Sequence, residues 1–242
     1  MLKNLAIAVL PAVILIAFVY WKDKYEKEPV KWVWKGFWYG ILSALASFTI
    51  SMPFLSLGLY PEQIVTVGDS LRTAFFGAAI PEEAAKLFLL WLLLRKNPFF
   101  DEYVDGIVYA VCIGMGFAAL ENITYMLGNY DEWMSIGIMR GVISVPAHFF
   151  FAVAMGYFYS LAQFGDSARR ITCWCLAFAV PVLFHGAFDA ILMASEVAGG
   201  IGAGTSFFLV LFIYMARSSK KRFHEHLERD EKTQKSASED RD

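Results

Sequence analysis

Charge is scarce in this sequence. Asp, Glu, Lys and Arg make up 18% of its 242 residues and hydrophobic residues 57%, whereas a soluble domain carries about 25% charged and about 45–50% apolar residues. That balance excludes a water-soluble globule. A net positive charge is also missing: the formal charge is -2 and no basic groove can be traced, which excludes a nucleic-acid partner. Cysteine is limited to Cys112, Cys173 and Cys175, all within apolar runs, so these read as small packing residues and not as a disulfide framework. Neither the G-x-S-x-G elbow nor the zinc motif H-E-x-x-H occurs, which leaves serine chemistry and a compact zinc site without their local signatures. No internal repeat occurs either, although many transporters carry one.

What fills the chain is apolar segments of membrane-crossing length, which takes roughly 17–25 residues. Seven are expected, near residues 5–21, 36–58, 71–94, 104–127, 134–163, 171–194 and 200–216. The first has only Lys3 as an early side-chain charge and no small-residue cleavage site before Lys22, so it reads as a retained span. Lysine and arginine alternate by loop. Lys22, Lys24, Lys27, Lys31 and Lys35 follow the first span, Arg95 and Lys96 the third, Arg169 and Arg170 the fifth, and Arg217, Lys220, Lys221 and Arg222 the seventh; the other three loops have none. Cytoplasmic loops carry the positive excess, which puts the N-terminus outside and the C-terminus in the cytoplasm. Trp21, Trp32, Trp34 and Trp38 around the first loop suit an interfacial aromatic belt. The expected architecture is an all-α polytopic bundle over 1–216, with a basic juxtamembrane segment and tail over 217–242. The tail from Thr233 to Asp242 is polar and is expected to be disordered, and His224 and His226 within the tail are assigned no role.

Several residues are in the wrong solvent. Span three contains Glu82, Glu83 and Lys86; span four Asp105, Glu121 and Asn122; span five Arg140 and His148; span six His185 and Asp189. One ionised residue at a helix centre costs about 2.5–3.5 kcal/mol on insertion scales, so these must face one another or water. At 1.5 Å of rise per residue, Glu82 lies about 15 Å from the outer end of its span, Glu121 about 9 Å, His148 about 21 Å, His185 about 14 Å and Asp189 about 8 Å. Four helices thus deliver acids and imidazoles to the outer half and middle of the bilayer. Glu82 and Lys86 are spaced i,i+4 for an ion pair, while Glu83 points about 100° away, so the two glutamates cannot share one partner equally. His185 and Asp189 share a helix face, where the carboxylate can fix the imidazole's tautomer. Asp105 and Arg140 sit near span ends, where snorkelling or a structural ion pair accounts for them.

This set can activate water with a glutamate base and stabilise a tetrahedral intermediate with imidazole. It can also bind a divalent metal such as zinc through His148, His185 and one of Glu121 or Asp189, leaving Glu82 or Glu83 as base. The missing compact motif favours the metal-free version. A proton- or ion-coupled carrier is the rival class, since buried carboxylates and histidines also build relays.

At these residues the chain resembles the PrsW family of intramembrane proteases, which is related more distantly to the CAAX-protease and bacteriocin-processing superfamily. The resemblance lies in Asp23-Lys24-Tyr25-Glu26-Lys27-Glu28-Pro29, Pro81-Glu82-Glu83-Ala84-Ala85-Lys86 (similar to EExxK), Asp105-Gly106-Ile107-Val108-Tyr109 and Phe117-Ala118-Ala119-Leu120-Glu121-Asn122 (similar to FxxxEN). Arg140 with His148 and Gly156, then His185-Gly186-Ala187-Phe188-Asp189, complete it. The resemblance implies a multi-pass protease of the bacterial cell membrane that cuts a membrane-spanning protein, such as an anti-sigma factor, on its extracytoplasmic side. It implies that Glu82 and Glu83 are the catalytic glutamate pair and that His185 is required. Glu121 and His148 match further motif positions, with Lys86, Asn122, Asp189 and Arg140 in support. The family is described both as metalloprotease and as glutamic protease.

Overall fold

The computed structural model describes residues 2–24, 26–199 and 202–239, and among these the chain is all helical. Tyr25, Gly200, Ile201 and residues 240–242, which touch the first motif, the seventh expected span and the tail, lie outside the described residues. In chain order the helices are α1 (Leu2–Lys22), α2 (Val30–Ser56), α3 (Val67–Arg72), α4 (Ile80–Leu94), α5 (Tyr103–Gly128), α6 (Trp133–Val142), α7 (Ser144–Phe164), α8 (Arg170–Val197) and α9 (Gly202–Glu239). A π-helical segment, Thr73–Ala79, joins α3 to α4 in one rod. Five stretches are long and apolar enough to cross a membrane: Leu5–Lys22, Val30–Ser56, Tyr103–Gly128, Tyr130–Phe164 and Ser167–Val197. The expected span at 71–94 is helical throughout but carries Arg72, Glu82, Glu83 and Lys86. The one at 200–216 begins outside the described residues and runs into the charged half of α9.

α5 is the central post. Its flanks pack on α7, α2 and α1, and from Val104 to Ala119 every residue is buried. Without a hydrophobic driving force between helices in lipid, close packing of small residues holds them together. A side chain at Gly40 of α2 would collide with the backbone of α5 at Ile113 and Gly116. On the opposite side, one at Gly156 of α7 would strike the backbone of Gly106. Both neighbours can approach the post only because these positions lack a Cβ.

Two prolines shape the helices that carry the polar residues. Pro81 has no N–H to donate to Gly77, four residues back; Ser51 Oγ of α2 donates to that carbonyl instead (3.2 Å). The π segment ends there, and such segments recur at functional sites. Pro146 likewise cannot donate to Val142, and the expected span 134–163 is accordingly broken at Ile143 into α6 and α7.

The tail departs from expectation. α9 is helical from Gly202 to Glu239, so residues 233–239, for which no regular structure was expected, continue the helix. Pairs at i,i+4, Lys221–Glu225 (3.7 Å), His224–Glu228 (3.2 Å) and Glu231–Lys235 (2.6 Å), support it. More decisively, its inner face docks on the body. His226, expected to be exposed, is fully buried, stacks on Tyr157 (4.4 Å between centroids) and bonds through Nε2 to the Tyr157 carbonyl (3.0 Å). Asp230 accepts the backbone N–H groups of Tyr103 (2.7 Å) and Val104 (3.0 Å), satisfying orphan donors at the start of α5.

Candidate active site

The rod of α4 brings three charges to the bundle interior. Glu82 and Glu83 open α4 just after the proline turn, and Lys86 follows one turn on. Lys86 Nζ donates to Glu83 Oε1 at 2.8 Å and lies 3.5 Å from Glu82 Oε2, so the i,i+3 pair is tighter than the i,i+4 pair anticipated. The ammonium also sits 3.8 Å above the Phe117 ring of α5, a cation–π contact that helps to hold a charge out of water.

His185 of α8 meets the same carboxylates. Its Nδ1 is 2.8 Å from Glu83 Oε1, and its Nε2 is 3.2 Å from Asp189 Oδ2 and 3.8 Å from Glu82 Oε2. Phe151 of α7 stacks on the ring at 4.8 Å and fixes its plane. His148 of α7 is 5.2 Å from His185, ring to ring. Its Nδ1 lies 3.3 Å from the Lys86 ammonium and its Nε2 2.8 Å from Glu121 Oε2. Ammonium can only donate and carboxylate only accept, so this ring has an accepting Nδ1 and a donating Nε2 and is neutral.

Glu121 is gripped from the other side by Arg140 of α6 at 2.8 Å. The Arg140 guanidinium lies 3.7 Å over the Tyr125 ring. Of the two explanations for a span-end charge, Arg140 therefore shows the ion pair and not snorkelling, and the pair reaches into the site. Asp105 is elsewhere: its carboxylate accepts the backbone N–H groups of Asp101 and Glu102 before α5. Asn122 turns away to donate to the Ala8 carbonyl of α1 (3.1 Å), tying two helices together.

A cavity of about 320 Å³ opens on this constellation, lined by Glu82, Glu121, Arg140, His148, His185 and Asp189 and walled by Tyr125, Phe151 and Phe188. The adjacent glutamates differ in access. The Glu82 side chain is 14% exposed and lines the cavity, whereas Glu83 is 0% exposed beneath it. Of the aromatic positions, Phe117 belongs to the FxxxEN-like block, whereas Tyr125 and Phe151 were not singled out in the sequence; the three stand four residues before Glu121, four after it and three after His148, one helical turn from a polar partner in each case.

Donor atoms of Glu82, Glu83, His148 and His185 all lie within 4.8 Å of one another. This shares His148 and His185 with the ligand set expected and differs in the carboxylates: Glu82 and Glu83 stand in place of Glu121, which pairs with Arg140 and His148, and of Asp189, which faces His185 Nε2. The residues present fit a divalent metal: two imidazoles and two carboxylates suit zinc, and Glu82 Oε2 and Glu83 Oε2 are buried without a hydrogen-bond partner among the described residues.

Comparison with known proteins gives the family. A family model described as PrsW family intramembrane metalloprotease matches residues 28–216. The Protease PrsW of Geobacillus kaustophilus (strain HTA426) is 35% identical over 196 residues, covering 81% of this chain and 82% of the relative. That of Bacillus subtilis (strain 168) is 30% identical over 221 residues, 91% and 96% of the two chains, and that of Clostridioides difficile (strain 630) is 32% identical over 189 residues, 77% and 78%. No solved structure matches the chain. The carrier reading finds no support among these relatives, and the chain, a helical membrane protein, belongs to the PrsW family and is a protease.

Proposed function

We propose that the chain is a multi-pass endopeptidase of the bacterial cell membrane that hydrolyses a peptide bond of a membrane-spanning protein, in the outer half of the bilayer, with Glu82 as the base that activates water. The observation that carries this is the difference in access between two adjacent carboxylates: the Glu82 side chain is 14% exposed and lines the cavity, while Glu83 is fully buried beneath it, held at 2.8 Å by both Lys86 and His185.

In this reading Glu82 takes a proton from water as the water oxygen bonds to the scissile carbonyl carbon, and the carbonyl electron pair moves onto oxygen. The His185 Nε2–H, which faces Asp189 Oδ2 in the resting site while Glu83 fixes Nδ1, donates to that oxyanion once the substrate carbonyl is in place. Glu82 then returns its proton to the amide nitrogen as the C–N bond breaks, releasing a carboxylate and an amine. Glu121, fixed by Arg140, keeps His148 in one tautomer beside the reacting atoms. Should a divalent metal be resident, Glu82, Glu83, His148 and His185 would hold it, and when bound it supplies Lewis acidity to carbonyl and water oxygen; Glu121 and Asp189 would then be carboxylates left lining the cavity.

The test uses purified enzyme reconstituted with a single-span substrate. Glu82→Gln is expected to abolish cleavage with the helical fold intact in detergent. Chelation with metal analysis of the same sample separates the two versions: full activity at negligible metal supports Glu82 as base, and loss that stoichiometric zinc restores assigns Glu82 to the ligand set. Undiminished cleavage by Glu82→Gln would overturn both.

A further inference from the structure

Away from the catalytic cavity, a larger one of about 820 Å³ lies between α1, α7 and α9, within the roughly 300–1,000 Å³ of ligand pockets. Its rim is cationic: Lys22, Lys24, Arg217, Lys220 and Lys221 line it, and no carboxylate does among the described residues. Lys221 is shared with Glu225 at 3.7 Å, but Lys22, Lys24, Arg217 and Lys220 have no carboxylate partner among the described residues. The Lys22 ammonium rests over Trp21 (4.9 Å) and Phe18 (5.9 Å) at the end of α1. Below the rim the walls become apolar, through Phe18, Val19, Phe149, Phe150 and Val153.

A second observation points to an occupant. Ser219 lines this cavity at 5% exposure, and its Oγ has no hydrogen-bond partner among the described residues. A buried hydroxyl left without a partner costs free energy that a bound acceptor removes. The cavity thus brings together a set of cations, a hydroxyl donor and an apolar wall.

We propose that this cavity is a binding site for one anionic phospholipid, with the phosphate among Lys24, Arg217, Lys220 and the Ser219 hydroxyl, and an acyl chain along Phe18, Phe149 and Val153. Charge complementarity selects the headgroup: basic pockets between membrane helices attract acidic lipids, and a zwitterionic headgroup gains far less from a cavity lined by five Lys and Arg and, among the described residues, no carboxylate. The apolar wall selects a lipid over a free phosphate, because phosphate alone leaves it unused. The bound lipid bridges the first helix of the chain to its last, through a face of α7 distinct from the one carrying His148.

The experiment is native mass spectrometry of the full-length protein, delipidated in detergent and titrated with dioleoyl phosphatidylglycerol, dioleoyl phosphatidylcholine or glycerol phosphate. The expected result is one retained phosphatidylglycerol, with phosphatidylcholine and glycerol phosphate each at least about tenfold weaker. Lys24→Gln with Arg217→Gln and Lys220→Gln should lose that preference, whereas Lys31→Gln with Arg95→Gln and Lys96→Gln, on the same side of the molecule but outside the cavity, should keep it. Ser219→Leu fills part of the cavity with every cation left in place and should also release the lipid, which covers the case in which the triple variant does not fold. Equal retention of the two lipids, equal binding of glycerol phosphate, or an acidic peptide that occupies the site while phosphatidylglycerol does not would each overturn the proposal. None of these outcomes depends on Glu82, so failure here is distinguishable from failure of the catalytic reading.

Discussion

At the scale of single residues, Glu82 and Glu83 show how one step of a helix separates two roles. Glu83 accepts from Lys86 and faces His185 Nδ1, both at 2.8 Å, and meets no solvent, so its carboxylate orients its partners. Glu82→Gln should therefore lower the cleavage rate by about 10²–10⁴-fold, the usual contribution of a general base, without a change in melting temperature. Glu83→Gln, in contrast, should lower activity and melting temperature together, because it leaves a buried ammonium short of its carboxylate. Parallel thermal melts and rate measurements check this; equal melting losses in both variants would remove the distinction. The i,i+4 spacing of His185 with Asp189 was legible in the sequence and appears in the structure at 3.2 Å. Arg140 was legible only in part: the resemblance gave it a supporting role and its position a structural ion pair, but nothing in a linear span reveals that a helix break will aim it inward at Glu121. His226 was missed for a related reason: polar neighbours on both sides made its helix read as solvated, and only docking against Tyr157 buries it.

At the scale of elements, the prolines matter more than the apolar runs around them. Periodicity showed where helices lie, and the helices were found there, yet one apolar run of 134–163 is two helices. Hydropathy cannot register a missing N–H, whereas the backbone does: without a donor at Pro146 the Val142 carbonyl loses its partner and the axis turns. Restoring the donor tests the consequence. Pro146→Ala should favour continuation of α6 into α7, draw Arg140 away from Glu121 and release His148 from its single tautomer. Because misplacement by about 1 Å can cost 10²-fold, cleavage should fall by about that factor, and Arg140→Gln should then add little further loss. A double-mutant cycle on cleavage rates provides the measurement, and full additivity would mean that the break and the ion pair act separately.

At the scale of the whole molecule, stability and orientation both follow from charges at the helix ends. Burial raises Glu28 from its ordinary 4.5 to about 7, and burial together with the Asp230 charge does the same for Glu102. Each stays neutral in the fold over a range in which the unfolded chain ionises, so its contribution is fully present below about pH 4.5 and is lost as pH rises through about 7. The melting temperature should fall between pH 5 and pH 8, and Glu28→Gln, which can still accept from Tyr109, should flatten that fall. An equally steep pH dependence in the variant would exclude Glu28 as its source. Orientation rests on Lys and Arg. They cluster after the first, third and fifth expected spans and at the seventh's end, and are missing from the three loops between, an asymmetry by which those basic ends are expected to face the cytoplasm. The same ends carry the cationic cavity at Lys22, Lys24 and Arg217, whereas Glu82, His185 and Asp189 lie towards the opposite ends of α4 and α8 from Arg95 and Arg170. If the rod of α3 and α4 and the apolar part of α9 both cross the bilayer, the count is seven and the chain's two ends face opposite sides. Topology reporters fused after Arg95 and after Glu196 should then report opposite compartments, cytoplasmic for the first and external for the second. The same compartment for both would mean that a segment between them does not cross, and the catalytic cavity could no longer be assigned to the outer half of the membrane.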